Sequence, residues 1–212
     1  MYCLLLFFVK IFFIRLESSI IALIMKPIFD HFNTILPMSE KEVVEITPLL
    51  KTKLVAKDES ILNEGNTCNF LAFVTKGSFR SFHVNSNGKS TNLMLNSTNE
   101  FISNYDSYLS GLPSNISIQA IEMSEVITIF KEDLDKLLDT SLYWNKVGRM
   151  MVENIFVISK LRLESILYKT PKERYFELLK CSPDFLKKYS LTDISSFIGV
   201  TLQSLSRIRA RI

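Results

Sequence analysis

The chain has 212 residues, 47% of them apolar and 22% charged, with a net charge of +3. This composition argues against a disordered chain, whereas the small charge excess does not by itself indicate nucleic-acid binding. Three separated cysteines, Cys3, Cys68 and Cys181, argue against a disulfide framework and favour a reduced, cytoplasmic protein. With only two histidines besides, we expect no metal site, haem or iron–sulfur cluster.

Residues 1–25 form an apolar leader that Lys10, Arg15 and Glu17 interrupt. Charges near the middle of a spanning helix cost about 2.5–3.5 kcal/mol each, so the leader fits a transmembrane segment poorly. It also fits a secretory signal poorly, because its apolar run precedes its positive charges. Three interpretations stay open: a segment upstream of a true start at Met25, a weak membrane anchor, or an added packing helix. Membrane association of the protein as a whole is not expected.

The next segment begins with helices and continues with short strands. A shared helical face and a capping box predict two helices before residue 50, formed around Ile28, Phe29, Phe32 and Ile35 and around Ser39 with Glu42. From about Lys53 to Phe130, β-rich runs such as FLAFVT, SFRSFHV and EVITIF alternate with turn residues. Asn87-Gly88 predicts a type I′ hairpin. This spacing favours a sandwich or jelly roll.

A long helix is predicted from Ser141 to Tyr168, since the segment has no proline and its apolar residues recur every three or four positions. Such a helix can cover the β domain with one edge and meet a second copy with the other. The predicted dimer contacts are Val147, Met151, Asn154, Ile158 and Leu161. The alternative is a helix buried wholly within one protomer.

The last segment predicts a helix-turn-helix. Thr170, Pro171 and Glu173 form a helix start with a capping box, which places a domain boundary near 168–170. Ser190 can cap a further helix, and Gly199 falls where that helix needs a left-handed residue. A second helix follows at once, capped by Thr201 and packed inward through Leu202, Leu205 and Ile208.

The outward side of this second helix carries donors that suit DNA. Gln203 and Arg207 lie four residues apart on one face, and such side chains read adenine and guanine in the major groove. The remaining predicted contacts are to phosphates, through short donors and positive charge at Thr201, Ser204, Ser206, Arg209 and Arg211. The alternative is a solvated basic helix, which its own dipole favours near a C-terminus.

Taken together, these motifs resemble the Crp/Fnr family of bacterial transcription regulators. ILNEGN and KGSFR resemble the family's glycine turns, and DISSFIGVTLQSLSRIR resembles its DNA-binding signature, although Leu202 stands where the family often has a polar or basic residue. The resemblance implies an α+β chain: an antiparallel β-roll (a double-stranded β-helix, or jelly roll) with flanking helices over 26–140, a dimerisation helix over 141–168 and a helix-turn-helix domain over 169–212. It implies double-stranded DNA and a second copy as partners, with RNA polymerase a further candidate.

The effector site departs from the family's pattern. Members that bind cyclic AMP carry Phe-Gly-Glu and then an arginine, whereas this chain has FISN, with Ser103 in place of the glutamate, and Ser114 or Asn115 in place of the arginine. No Lys, Arg or His occurs from Ser90 to Phe130, so a cyclic phosphate would find no cation there. We therefore expect no cofactor and no tight cyclic AMP binding.

Another small-molecule effector stays open. Its polar contacts would be Ser103, Asn104, Ser114 and Asn115, beside apolar walls from Met94, Phe101, Tyr105, Tyr108 and Ile116. The alternative is a collapsed pocket without a ligand.

Two functions fit these observations: a dimeric, sequence-specific DNA-binding regulator, or a module that binds a small molecule in its β-roll and a protein through its terminal helices. An enzyme is not expected, because no nucleophile–base constellation or paired-carboxylate site is visible.

Overall fold

A computed structural model of the chain describes residues 23–181 and 183–210. The hypotheses about the leader therefore concern residues that lie almost wholly outside this part, and Arg211 lies outside it too. The described part begins with helix α1 over 23–35, helix α2 Glu40–Ile46 and a 3-10 turn Thr47–Leu49. Strand β1 Lys51–Val55 then opens the β domain. The predicted capping box is confirmed, since the Ser39 side chain and Glu42 each accept a backbone N–H at the start of α2.

The β domain continues with seven strands and one short helix. They are β2 Ser60–Leu62, β3 Phe70–Lys76, β4 Ser78–Val84, β5 Ser90–Ser97, β6 Phe101–Ile102, α3 Tyr105–Ser110, β7 Ser117–Ala120 and β8 Ser124–Phe130. They form two antiparallel four-stranded sheets: sheet A in the order β1-β8-β3-β6 and sheet B in the order β2-β7-β4-β5. The predicted antiparallel β architecture is confirmed.

Sheet A is apolar on both faces. Along β3 and β8, Val74 and Val126 point between the sheets, where they are 0% and 1% exposed. Phe73 and Ile127, the next residue in each strand, point to the opposite face and are equally buried there. Because successive side chains of a strand alternate between faces, a sheet with this pattern needs cover on both sides. Sheet B covers one face, and helices cover the other.

The hairpin between β4 and β5 differs from the sequence prediction. Gly88 has a φ of 75°, but Asn87 is not among the residues with positive φ, so the loop is not a type I′ turn. Instead the Gly88 N–H donates to Asn85 O at 2.9 Å, and the Asn85 side chain accepts N–H groups from Asn87 and Lys89. The Asn85 side chain thus stabilises a longer loop in which only glycine adopts the left-handed conformation.

Helices form the C-terminal half of the chain: α4 Lys131–Thr140, α5 Leu142–Tyr168, α6 Pro171–Cys181, α7 Phe185–Lys188, α8 Leu191–Phe197 and α9 Leu202–Arg209. The long predicted helix is confirmed as α5, but Val147 needs a correction as a dimer contact. Val147 is 1% exposed and packs with Trp144, Phe32 and Ile127 against sheet A, so it has no surface left for a partner. No helix in the described part is both long and apolar enough to cross a membrane.

Gly77, between β3 and β4, lies close to Ser124 at the start of β8. Its φ is 94°, and a Cβ there would lie 2.1 Å from Ser124 Oγ and 2.8 Å from Ser124 Cα. We expect Gly77→Ala to lower the free energy of unfolding by about 2–5 kcal/mol, from left-handed strain and overpacking together. Urea unfolding measures this change.

Gly88→Ala is the matched control, because Gly88 also has a positive φ but nothing lies within 4 Å of its Cβ position. It should lose only the strain, about 1–2 kcal/mol. Equal losses at the two positions would contradict the close approach at Gly77.

Candidate nucleic-acid interface and effector site

Helices α8 and α9 form the predicted helix-turn-helix. Ser190 accepts the Asp193 N–H at 3.1 Å, and Thr201 accepts the Ser204 N–H at 3.2 Å, so both predicted caps are confirmed. Gly199 sits between the helices with a φ of 73°, as the sequence predicts. A residue with a Cβ is strained in this conformation, which is why a glycine allows one helix to end and the next to begin within four residues.

A small core fixes the angle between the two helices. Ile194, Ile198 and Leu205 are 0–2% exposed and pack with Tyr175 of α6. Leu202, predicted to face inward, is instead 44% exposed, whereas Ile208 is partly buried against the same core. The core therefore lies under the middle and end of α9, and its first turn projects into solvent.

The predicted base-reading residues are on the surface. Gln203 and Arg207 are both exposed, and so are Thr201, Ser206 and Arg209, while Ser204 is half-buried. Among the residues that the structure describes, neither Arg207 nor Arg209 forms an ion pair, although nine other Lys or Arg side chains do. Their guanidinium groups are thus open to a polyanion.

Two arginines that the sequence analysis did not single out connect α5 and α6 to α8. Arg162 Nη2 of α5 donates to Phe197 O, and its guanidinium lies 3.9 Å from the centre of the Phe197 ring. Arg174 Nε of α6 donates to Ile198 O at 2.9 Å. Burial and the neighbouring Arg174 charge lower the pKa of Arg162. Both cations bind carbonyls at the C-terminal end of α8, where the helix dipole favours positive charge.

The helix-turn-helix also docks on strand β5 of its own β domain. The Asn92 N–H donates to Ser196 Oγ at 2.8 Å, and Asn92 Nδ2 donates to Asp193 Oδ1 at 3.1 Å. Arg80 of β4 pairs with the same Asp193 at 3.7 Å. Further along, the Tyr189 hydroxyl donates to Asn96 O at 2.7 Å, and burial raises its pKa, so it remains a neutral donor. These contacts fix the position of α8, on which α9 packs, relative to sheet B.

The four predicted effector contacts do not converge on an open pocket. Asn104 and Ser114 are 7% and 3% exposed, and Asn104 Nδ2 donates to Ser114 Oγ at 2.7 Å. Ser114 Oγ in turn donates to Ile116 O, and Ser103 Oγ donates to Phe70 O at 2.9 Å. Asn115 is exposed. Three of these polar side chains are therefore used in internal hydrogen bonds, and the fourth faces solvent.

A cavity lies on the other side of sheet A. It has a volume of about 410 Å³, is partly open to solvent, and is lined by the outer face of sheet A and by helices α1, α2, α3, α4 and α5. Of the predicted apolar walls, Phe101, Tyr105 and Tyr108 do line it, whereas Met94 and Ile116 do not. Within the described residues no group of three or more His, Cys, Asp or Glu side chains is placed to hold a metal ion.

Comparison with known proteins supports this architecture. Residues 52–141 match the family model of the cyclic nucleotide-binding domain. FixK2 from Bradyrhizobium japonicum superposes with a TM-score of 0.66 at 20% identity, covering 76% of this chain and 83% of FixK2. A putative transcriptional regulator of the Crp/Fnr family from Eubacterium rectale superposes with a TM-score of 0.62 at 17% identity, covering 82% of this chain and 83% of that one. The chain has the Crp/Fnr fold.

The catabolite activator protein of Thermus thermophilus shares the Crp/Fnr fold with this chain, with a TM-score of 0.53, 18% identity and 84% coverage of both chains. No curated protein has significant sequence similarity to the chain. The neighbours from Eubacterium rectale and Thermus thermophilus are named as a transcriptional regulator and an activator protein, and neither name is that of an enzyme. At these identities the likeness establishes the fold, while DNA binding and the effector have to be argued from the chain's own residues.

Within the Crp/Fnr fold, the residues that the sequence analysis missed share one property. Arg162, Arg174 and Asn92 act on partners between 24 and 104 positions away in the chain. Their local sequence shows only a basic helix residue or a polar strand residue. No spacing rule links them to α8, so only the folded structure reveals that they position it.

Proposed function

We propose that the chain is a dimeric, sequence-specific DNA-binding regulator that does not respond to cyclic AMP. The observation that carries the proposal is the outward face of α9, where Gln203 and Arg207 are exposed and no residue from Gly199 to Ala210 is acidic. Gln and Arg make paired hydrogen bonds to base edges in the major groove, which is where a recognition helix lies. The protein would act in the cytoplasm, and RNA polymerase is retained as a partner on family resemblance alone.

Dimerisation would proceed through the distal part of α5. After Met151 this helix leaves the core and exposes a large set of apolar side chains, with Phe156 68% and Leu161 58% exposed. The set also contains Val152, Val157, Ile158, Leu163, Ile166, Leu167 and Tyr168. A solvent-exposed apolar helix of this length indicates an interaction surface. Two copies paired there would present their α9 helices to half-sites roughly 34 Å apart.

The predicted dimer contacts on α5 differ in their exposure. Ile158 and Leu161 are exposed apolar residues and Asn154 is exposed, whereas Met151 is half-buried against the core of its own protomer. The proposed interface therefore lies toward the C-terminal end of α5, nearer to the DNA-binding helices than the sequence pattern suggested.

Cyclic AMP should not bind, because none of the buried side chains in the described part of the chain is a cation that could meet its phosphate. The segment from Ser90 to Phe130 contains no basic residue, and Asn104 and Ser114 are occupied with each other. A buried phosphate without a cation or several N–H donors is strongly disfavoured. We expect calorimetry to detect no saturable cyclic AMP binding, and a micromolar dissociation constant would contradict this part of the proposal.

Arg207→Ala tests base reading. After selection of bound fragments from random duplex DNA, the variant should lose discrimination at one position of the half-site by about 1–3 kcal/mol. Arg209→Ala should instead weaken all sequences nearly equally and lower the slope of log affinity against log salt by about one. Lys57→Ala, an exposed charge on the β domain, is the matched control and should change neither.

The DNA experiment also separates the proposal from the alternative regulatory module. A mobility shift that is absent even at low ionic strength would leave the terminal helices without a nucleic-acid role. Loss of specificity to the same degree in the Arg207 and Arg209 variants would show that the two residues do not divide base and phosphate contacts.

Leu161→Lys tests whether two copies pair through the distal part of α5. A lysine at this exposed position should convert the dimer to a monomer, because a charge would have to be desolvated at the centre of an apolar interface. Sedimentation velocity at micromolar protein measures the state. Met123→Lys, at another exposed apolar residue before β8, should leave the dimer intact. A wild-type monomer, or a dimer that tolerates the lysine, would refute pairing through α5.

A further inference from the structure

The cavity outside sheet A contains a buried donor without a partner. Trp144 lines the cavity and is 2% exposed, and its Nε1–H has no hydrogen-bond acceptor among the described residues. The ring is held by edge-to-face contacts with Phe32 and Tyr143, each with 5.1 Å between ring centroids. Leaving a buried N–H unpaired is unfavourable, so an acceptor brought into the cavity would stabilise the protein by giving this N–H a partner.

The walls indicate the chemistry of such an occupant. Most of the lining is aliphatic or aromatic, including Ile28, Leu71, Leu134 and Leu138. The polar members are Tyr105, Tyr108, Asn145 and Arg149, so the charge contributed by the described lining residues is positive and none of them is acidic. The volume of about 410 Å³ lies within the range of roughly 300–1,000 Å³ that is typical of small-molecule sites.

We propose that this cavity binds an amphiphilic carboxylate, with its apolar chain between sheet A and helices α1 and α4 and its carboxylate accepting from the Trp144 Nε1–H and from Arg149. The site is separate from the interior of the roll, because it lies on the opposite face of sheet A from Val74 and Val126. Arg149 is available for this contact, since its side chain is 59% exposed and pairs only with the equally exposed Glu153 of the next turn.

The cavity is placed to influence α5. Trp144, Gly148, Met151 and Ile155 contribute a wall from the proximal half of that helix, whereas Arg162 in its distal half binds α8. A ligand held against the proximal wall would favour one placement of α5 over another. This regulatory consequence rests on the proposed function, but binding of the ligand does not.

Tryptophan fluorescence reports on the cavity, because Trp144 is the only tryptophan in the sequence. We would titrate the full chain, without DNA, with three probes that share a ten-carbon tail: decanoate, 1-decanol and decylammonium, each below its micelle-forming concentration. We expect decanoate to shift the tryptophan emission saturably, with an affinity at least about tenfold above that of decylammonium. Decanol should fall between them.

Three variants locate the site, with calorimetry as the readout. Leu134→Phe should fill the cavity and weaken decanoate by more than about tenfold. Trp144→Phe keeps the ring but removes the N–H, and should cost about five- to tenfold. Arg149→Gln, a surface change that leaves the core untouched, should abolish the preference for decanoate over decanol. Circular dichroism establishes that each variant is folded.

Several results would overturn the proposal: no emission change with any probe, equal affinities for the three head groups, or binding that Leu134→Phe and Arg149→Gln both leave intact. An emission change on protein dilution, with no response to the probes, would instead show that a second copy fills the cavity. DNA affinity is then measured with and without decanoate. A chain that binds decanoate but no DNA would refute the proposed function and leave the site standing.

Discussion

Burial of sheet A on both faces is the constraint on which the rest of the structure depends. A sheet with Val74 and Val126 on one side and Phe73 and Ile127 on the other cannot remain half-exposed to water, since each buried aliphatic side chain contributes about 1.5–3 kcal/mol. Sheet B satisfies one face. Helices α1 and α4 and the start of α5 cover the other face. This packing fixes where the long helix begins. Its distal apolar part is left exposed in the described residues.

Helices α8 and α9 are held by contacts from three directions. Arg162 and Arg174 bind carbonyls at the end of α8, Asn92 and Arg80 reach its Asp193 and Ser196 from sheet B, and the core around Leu205 holds α9. The polar contacts join helices α5 and α6 and strands β4 and β5 to α8. The placement of α9 therefore depends on the placement of α5, and this dependence gives a change at one end of the protein a physical route to the other.

The Crp/Fnr fold of the chain does not determine what it senses. The roll interior holds a closed set of hydrogen bonds around Asn104 and Ser114, and its segment carries no cation. The space and the unsatisfied donor lie on the opposite face of the same sheet. Function thus has to be argued from sites and not from architecture. The outward face of α9 is the basis for the proposed DNA binding, and the cavity beside Trp144 is the basis for the proposed amphiphile site.

The sequence by itself determined what depends on near neighbours in the chain: the caps at Ser39, Ser190 and Thr201, the turn at Gly199, the strand runs and the long helix. These features are stabilised by contacts within three or four residues, so their spacing is visible in the letters. The predicted type I′ turn at Asn87 was wrong although it rested on a local rule, because the Asn85 side chain stabilises a longer loop. Periodicity also predicts that a face is apolar without showing what covers it. Only the tertiary structure decided that Val147 is covered by its own protomer, that Asn104 and Ser114 satisfy each other, and that Arg162 binds α8, since each of these depends on elements that folding brings together from distant positions.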